Sequence, residues 1–228
     1  MCGIFSIINL NQKNTLNFSD LKKINNTLQH RGPDDEGYLI FDNELQKQTI
    51  SKNFDLCSEK NLNDLNFKVA LLHRRLSILD LSPLGHQPMS DINDRYHIVF
   101  NGEIYNFIEL RKELEKLGKK FITKTDTEVL VQAYENWGID SLKKFNGDWA
   151  FVLLDKVEKK LIISRDRFGI KPLYYFINEN LIIFSSEIKA ILNHPDVKTK
   201  PNLKYFQNYI LNGANEWSAA TSLSLIHI

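Results

Sequence analysis

One of only two cysteines in the 228-residue chain stands directly behind Met1. Removal of a methionine before a small residue would leave Cys2 with both a thiol and a free α-amine. A free thiol has a pKa of about 8.5 and an α-amine about 7.7–8, so the amine is partly neutral near pH 7. It can take the thiol proton while the thiolate attacks a carbonyl, with no distant histidine required. Such a nucleophile needs donors for the oxyanion and groups that hold the substrate. The competing expectation is a small apolar residue that merely begins a strand.

The stretch "NGEIYN" (Asn101–Asn106) offers the donors. Asn101 carries a side-chain amide, and Gly102 lacks a Cβ, so its N–H can approach a developing oxyanion closely. Asn-Gly is also the commonest hairpin signal, so a turn is the alternative. Arg74 and Arg75 follow an apolar run. Successive strand residues point to opposite faces, so one of the two can face a given pocket. A guanidinium there binds a carboxylate bidentately. Asp126, in "TKTDTE", can pair with an ammonium or simply cap a helix. Glu103 can assist it or be turn surface. One arginine for a carboxylate and one or two acids for an ammonium define a free α-amino acid. A carbonyl open to cysteine in such a molecule is a side-chain amide.

The elements that must position these residues follow from pattern. "IFSIIN" reads as a buried strand, and "SDLKKINNTLQ" as a helix capped by Ser19. "HRGPDDEG" is turn chemistry and "YLIF" a strand. Residues 42–66 are polar and weakly patterned, an excursion or long loop. "FKVALLHRRLSILDL" reads as one or two strands with a bend at the arginines, "SPLGHQPMSD" as a loop, and "YHIVFNGEIYN" as a strand running into a turn. Two amphipathic helices follow, "FIELRKELEKLG" with Asn106 as cap and Gly118 at its end, and "TDTEVLVQAYENWG" stopped by Gly138. "WAFVLLD", "KLIISRD", "LYYFI" and "LIIFSSE" have the spacing of a meander, and "EIKAIL" is a helix. The sum is an α+β fold with mostly antiparallel pairing.

Composition excludes several classes. Hydrophobic content of 43% and charge of 25% are ordinary for a globular protein. A net charge of +1 gives no basic field for nucleic acid. No apolar run nears the ~20 residues of a membrane span, and no signal peptide is visible, so the cytosol is the default compartment. Cys2 and Cys57 form no C-x-x-C pair, and the six histidines lack metal-ligand spacing, so no metal site is expected.

Taken together, "MCGIF", "HRGPDDEG", "HRRLSILDLSPLGHQPM", "NGEIYNFIELR", "TDTEVL" and "RDRFGIKPLYY…SSEIKAIL" resemble the N-terminal class II glutamine amidotransferase domain of glutamine-hydrolysing asparagine synthase. The resemblance runs in the family's order to about Leu192 and more loosely to about Ser222. It implies an N-terminal-nucleophile hydrolase fold, an αββα sandwich of two antiparallel sheets between helical layers. It implies Cys2 as nucleophile with its α-amine as base, and Asn101 and Gly102 as oxyanion hole. It places the glutamine α-carboxylate on Arg75 rather than Arg74, with backbone contacts near Ile78, and the amine near Glu103 and Asp126. Arg31 is expected near the nucleophile, with no assigned role. L-Glutamine and a C-terminal synthetase domain are the implied partners, with a homodimer as a further arrangement. This chain needs no cofactor, whereas ATP and Mg belong to the synthetase domain. No "SGG-x-D-S"-like pyrophosphate loop occurs here.

Residues 1–192 are thus expected to form the glutaminase domain and 193–222 a linker and the start of the synthetase domain. "LSLIHI" (223–228) resembles the translation of a sequencing-library adapter and is expected to lie outside the natural reading frame, with a natural apolar tail as the alternative. The 42–66 excursion is similar to members in surface-polysaccharide gene clusters, so a carboxylate other than aspartate is an alternative acceptor. Other Cys-first amidotransferases, an N-terminal-nucleophile peptidase or acylase, and a degenerate binding domain are competing readings. The pairing of Arg75 with Asp126 disfavours a peptide substrate, which lacks paired free termini. The complete residue set disfavours a degenerate domain.

Overall fold

The computed structural model describes residues 1–11, 16–49, 66–198, 200–212, 221, 223 and 226–227. In chain order the first elements are β1 (Gly3–Asn9), α1 (Phe18–Asn26), β2 (Asp35–Phe41), β3 (Lys47–Thr49), β4 (Val69–Arg75), β5 (Met89–Ser90) and β6 (Tyr96–Ile104). Then come α2 (Phe107–Lys116), α3 (Asp126–Trp137), α4 (Ser141–Lys144), β7 (Gly147–Asp155) and β8 (Lys160–Arg165). The last are β9 (Tyr174–Ile177), β10 (Leu181–Ser185), α5 (Ile188–Leu192), α6 (Leu203–Asn212) and β11 (Ile226–His227).

Two antiparallel sheets result, one of order β11-β9-β10-β1-β4-β2-β3 and one of order β5-β6-β7-β8. Three apolar layers hold them. Ile4, Leu39, Phe41, Val69, Leu71, Val99, Ala150 and Val152 fill the space between the sheets. Leu21 and Ile24 of α1 and Ala190 and Ile191 of α5 cover the outer face of the larger sheet. Leu110 and Leu114 of α2 and Val129 and Leu130 of α3 cover the smaller one. Each of these buried Val, Leu, Ile or Phe side chains contributes about 1.5–3 kcal/mol over its exposed state. The architecture is the expected αββα sandwich.

Local details correct the pattern reading. Asn17, not Ser19, caps α1, because Asn17 and Asp20 close a reciprocal capping box at 3.0 and 3.2 Å. Asn106 is the N-cap residue of α2 as expected, but its side chain makes no capping bond and instead bridges the Lys144 carbonyl and the Asn146 N–H. Gly118 ends α2 with φ +87°, where the Lys119 N–H returns to the Leu114 carbonyl. The four late strands form two hairpins in different sheets rather than one meander. "SPLGHQPMSD" contains a 3₁₀ turn, Pro83–Gly85, and β5. Within the 42–66 excursion β3 is described, while Cys57 lies outside the described residues. Of 223–228, Ile226 is buried and pairs with Phe176.

Candidate active site

The parity of β4 decides which arginine faces the cleft. Its sequence is apolar on both faces, so pattern alone sets no direction. Val69 and Leu71 lie in the inter-sheet core, whereas Ala70 and Leu72 pack under the helices. The period of two sends His73 and Arg75 toward the second sheet and Arg74 toward α1. Arg74 accordingly donates Nε to the Asn25 carbonyl at 3.2 Å, bonds Asn26 Oδ1 and pairs with Glu36 at 2.6 Å. Arg75 donates Nη1 to the Ser82 carbonyl at 3.2 Å and Nη2 to the Asp80 carbonyl. Gly85 lies beside it, and a Cβ there would displace the guanidinium from this position.

Cys2 precedes β1 at the same end of the sandwich, where β1 pairs with β4 (Gly3 opposite Arg74). Its Sγ lies 3.4 Å from the Leu76 N–H, which donates to it, and 3.7 Å from the Leu76 carbonyl. Burial pushes the thiol pKa up, opposed by the Leu76 N–H, the N-terminal charge and Arg75. With Met1 attached, the Cys2 nitrogen is a peptide amide, and it becomes an amine once Met1 leaves. Arg31 reaches Cys2 from behind the cleft. Its Nε donates to the Cys2 carbonyl at 2.9 Å, and Glu187 holds its Nη1 at 3.1 Å.

Strand β6 supplies the next group. Asn101-Gly102 is no hairpin turn: it lies within β6, with Asn101 opposite Ala150 and Gly102 opposite Trp149. Asn101 is almost fully buried and its Nδ2 has no hydrogen-bond partner. An unpaired buried amide donor is costly, on the order of 1–3 kcal/mol, and this one lines the same cleft as Cys2, which makes it a candidate donor to a bound molecule. Gly102 has a second reason to be glycine. A Cβ would collide with the Asp148 carbonyl and come within 2.8 Å of Trp149 Cα.

Asp126 opens α3, and Thr125 rather than Asp126 caps that helix by accepting from the Glu128 N–H at 3.2 Å. The carboxylate is thereby free for other work, and Oδ2 accepts from the Ile104 N–H at 3.0 Å. Burial, then the nearby Glu103 charge, pushes Asp126 up to about 6.

The fold gathers Cys2, Arg75, Ile78, Asn101, Gly102, Glu103 and Asp126 around one cleft. Arg31 stays outside the lining. Sequence reasoning missed Leu76, Gln87, Thr127 and Lys171, which also line it. Gln87 and Lys171 sat inside "HQPM" and "RDRFGIK", but nothing local announces that these loops meet Cys2. Among the described residues no group of three or more His, Cys, Asp or Glu could hold a metal ion, and no helix is long and apolar enough to cross a membrane.

The family model described as "Glutamine amidotransferase domain" matches residues 59–227, a stretch that contains Arg75, Asn101, Gly102, Glu103 and Asp126 but starts after Cys2. Asparagine synthetase [glutamine-hydrolyzing] 3 of Bacillus subtilis is 39% identical over 172 residues, 72% of this chain and 28% of its own length. Asparagine synthetase [glutamine-hydrolyzing] 2 of the same organism is 36% identical over 206 residues, 90% of this chain and 24% of its own. The chain therefore spans about a quarter of these relatives. The solved glutamine phosphoribosylpyrophosphate amidotransferase of B. subtilis superposes with a TM-score of 0.64 at 24% identity, over 83% of this chain and 43% of that one. That likeness shows a shared fold, the α+β sandwich of two antiparallel sheets.

Proposed function

The chain belongs to the glutamine amidotransferase domain family, and from that premise we propose that its cleft hydrolyses the side-chain amide of L-glutamine. The observation that carries the reading is the buried, unpartnered Asn101 amide nitrogen in the cleft that Cys2 lines. The Cys2 thiolate adds to the amide carbon, and Asn101 Nδ2 with the Gly102 N–H receives the oxyanion. The α-amine, having taken the thiol proton, returns it to the leaving nitrogen. Ammonia departs and a glutamyl thioester remains. Water, deprotonated by the same amine, then adds to the thioester carbon, the C–S bond breaks to release glutamate, and the amine returns the proton to the Cys2 thiolate. Arg75 takes the α-carboxylate, with Ile78 at the rim, while Asp126 and Glu103 take the ammonium. Arg31 fixes the Cys2 carbonyl.

The ammonia serves a synthetase domain that uses ATP and Mg to amidate aspartate. That part lies beyond 1–192, with 193–222 leading into it. The open apolar stripe on α6 supports this division: Leu203, Ile210 and Leu211 are 77%, 78% and 72% exposed. A reducing cytosol, which keeps Cys2 a free thiol, is the compartment that fits.

Glutamate formation from glutamine tests the reading. Chain lacking Met1 should be active and Cys2→Ala inactive. Activity in Cys2→Ala would overturn the proposal, and full activity with Met1 retained would overturn the amine as base.

A further inference from the structure

Among the described residues, the proposed oxyanion donors sit on a strand edge that has no neighbouring strand. Strand β5 covers only His97 and Ile98 of β6. From Phe100 onward that edge is open, and alternate residues present N–H and C=O to it. Tyr105, of the opposite parity, donates to Asn146 on the β7 side. Phe100, Gly102 and Ile104 therefore face the open edge.

Two of these three peptides are held by side chains. The Phe100 N–H donates to Gln87 Oε1 at 2.7 Å. Its carbonyl lies 3.1 Å from Nε2 of His73, which crosses from the other sheet. The Ile104 N–H donates to Asp126. The middle peptide, Gly102, faces the cleft. A neighbouring strand would consume the Gly102 N–H, so β5 must stop short. An uncovered edge, however, frays or hydrates. Side-chain caps solve both problems.

Resting on the glutaminase reading, we infer that Gln87 and His73 are positioning residues that grip the Phe100 peptide and thereby hold Asn101 and the Gly102 N–H toward the oxyanion. Chemistry fixes their orientations. Phe100 N–H needs the Gln87 oxygen, so Nε2 is left for Thr127 Oγ1 at 3.4 Å. The Phe100 carbonyl needs a donor, so His73 carries its proton on Nε2 and leaves Nδ1 without a partner. Burial lowers the His73 pKa to about 3, so it stays neutral and carries no proton in the reaction.

Steady-state glutamate formation by the full chain lacking Met1 tests this. Gln87→Leu should lower kcat by about ten- to hundredfold, less than loss of a donor itself, with KM within about threefold. Combined with Asn101→Ala it should cost less than the product of the single losses, since both act on one oxyanion hole. His73→Leu should behave like Gln87→Leu. His73→Gln keeps an N–H donor and should regain most of the kcat without moving the pH profile. Wild-type kcat in Gln87→Leu, full multiplication with Asn101→Ala, or His73→Gln as impaired as His73→Leu would overturn the inference. Should Gln87→Leu fail to fold, the His73 pair decides. No glutamate from the parent chain, or an unimpaired Asn101→Ala, would instead overturn the glutaminase reading itself.

Discussion

The proposed reaction asks Asp126 to be both buried and charged, and that conflict can be measured. Burial, with Glu103 beside it, raises its pKa to about 6 from an ordinary 3.8. A carboxyl raised in the folded state penalises folding wherever it must be ionised. The penalty begins above the unfolded pKa near 4 and is complete above about 6. Over that interval it amounts to at most about 3 kcal/mol at neutral pH, taking 1.36 kcal/mol per unit. This group therefore makes the ligand-free chain more stable as pH falls from 7 toward 4. Asp126→Asn keeps an oxygen for the Ile104 N–H and removes the charge, so its Tm at pH 7 should rise. Glutamine binding should move the other way, because the ammonium needs the carboxylate. Cys2→Ala, which cannot turn over, permits equilibrium titration by calorimetry. Its Kd for glutamine should be flat near pH 7–8 and rise about tenfold by pH 5, one unit below the Asp126 pKa. Adding Asp126→Asn should weaken binding at pH 7 and flatten the profile. Equal Kd at pH 7 and pH 5, or undiminished affinity in the double variant, would refute the pairing.

Arg75→Ala should raise KM for glutamine by about a hundredfold through loss of a charge-assisted pair, measured in the glutamate assay. Arg74→Ala should leave KM nearly unchanged and lower stability by about 1–3 kcal/mol, read from urea unfolding, because it strips Glu36 and Asn26 of their partner. Asn101→Ala should lower kcat by about 10²–10³ with little change in KM. Ending the chain at Leu192 should improve solubility in light scattering, because it removes Phe206, Ile210 and Leu211 of the uncovered α6 stripe.

What the sequence determined by itself was chemical identity and local periodicity. A cysteine at position 2, an Arg-Arg step after an apolar run, an Asn-Gly after another, and an acid at a helix start named the candidate reagents. Short β-branched runs and amphipathic helices named the α+β class, because burial imposes periods of two and 3.6 locally. Tertiary structure decided direction and partnership. The run "VALLHRR" is apolar on both faces, so only packing between two layers could assign Arg75 to the cleft and Arg74 to α1. Asn-Gly became mid-strand because β7 pairs through it, which no local turn propensity foretells. Thr125 freed Asp126 from capping. The grip of Gln87 and His73 on Phe100 joins residues 13 and 27 positions apart in the chain. Such contacts are invisible in sequence because they satisfy backbone groups left over when the sheet edge forms, a need that arises only after the fold exists.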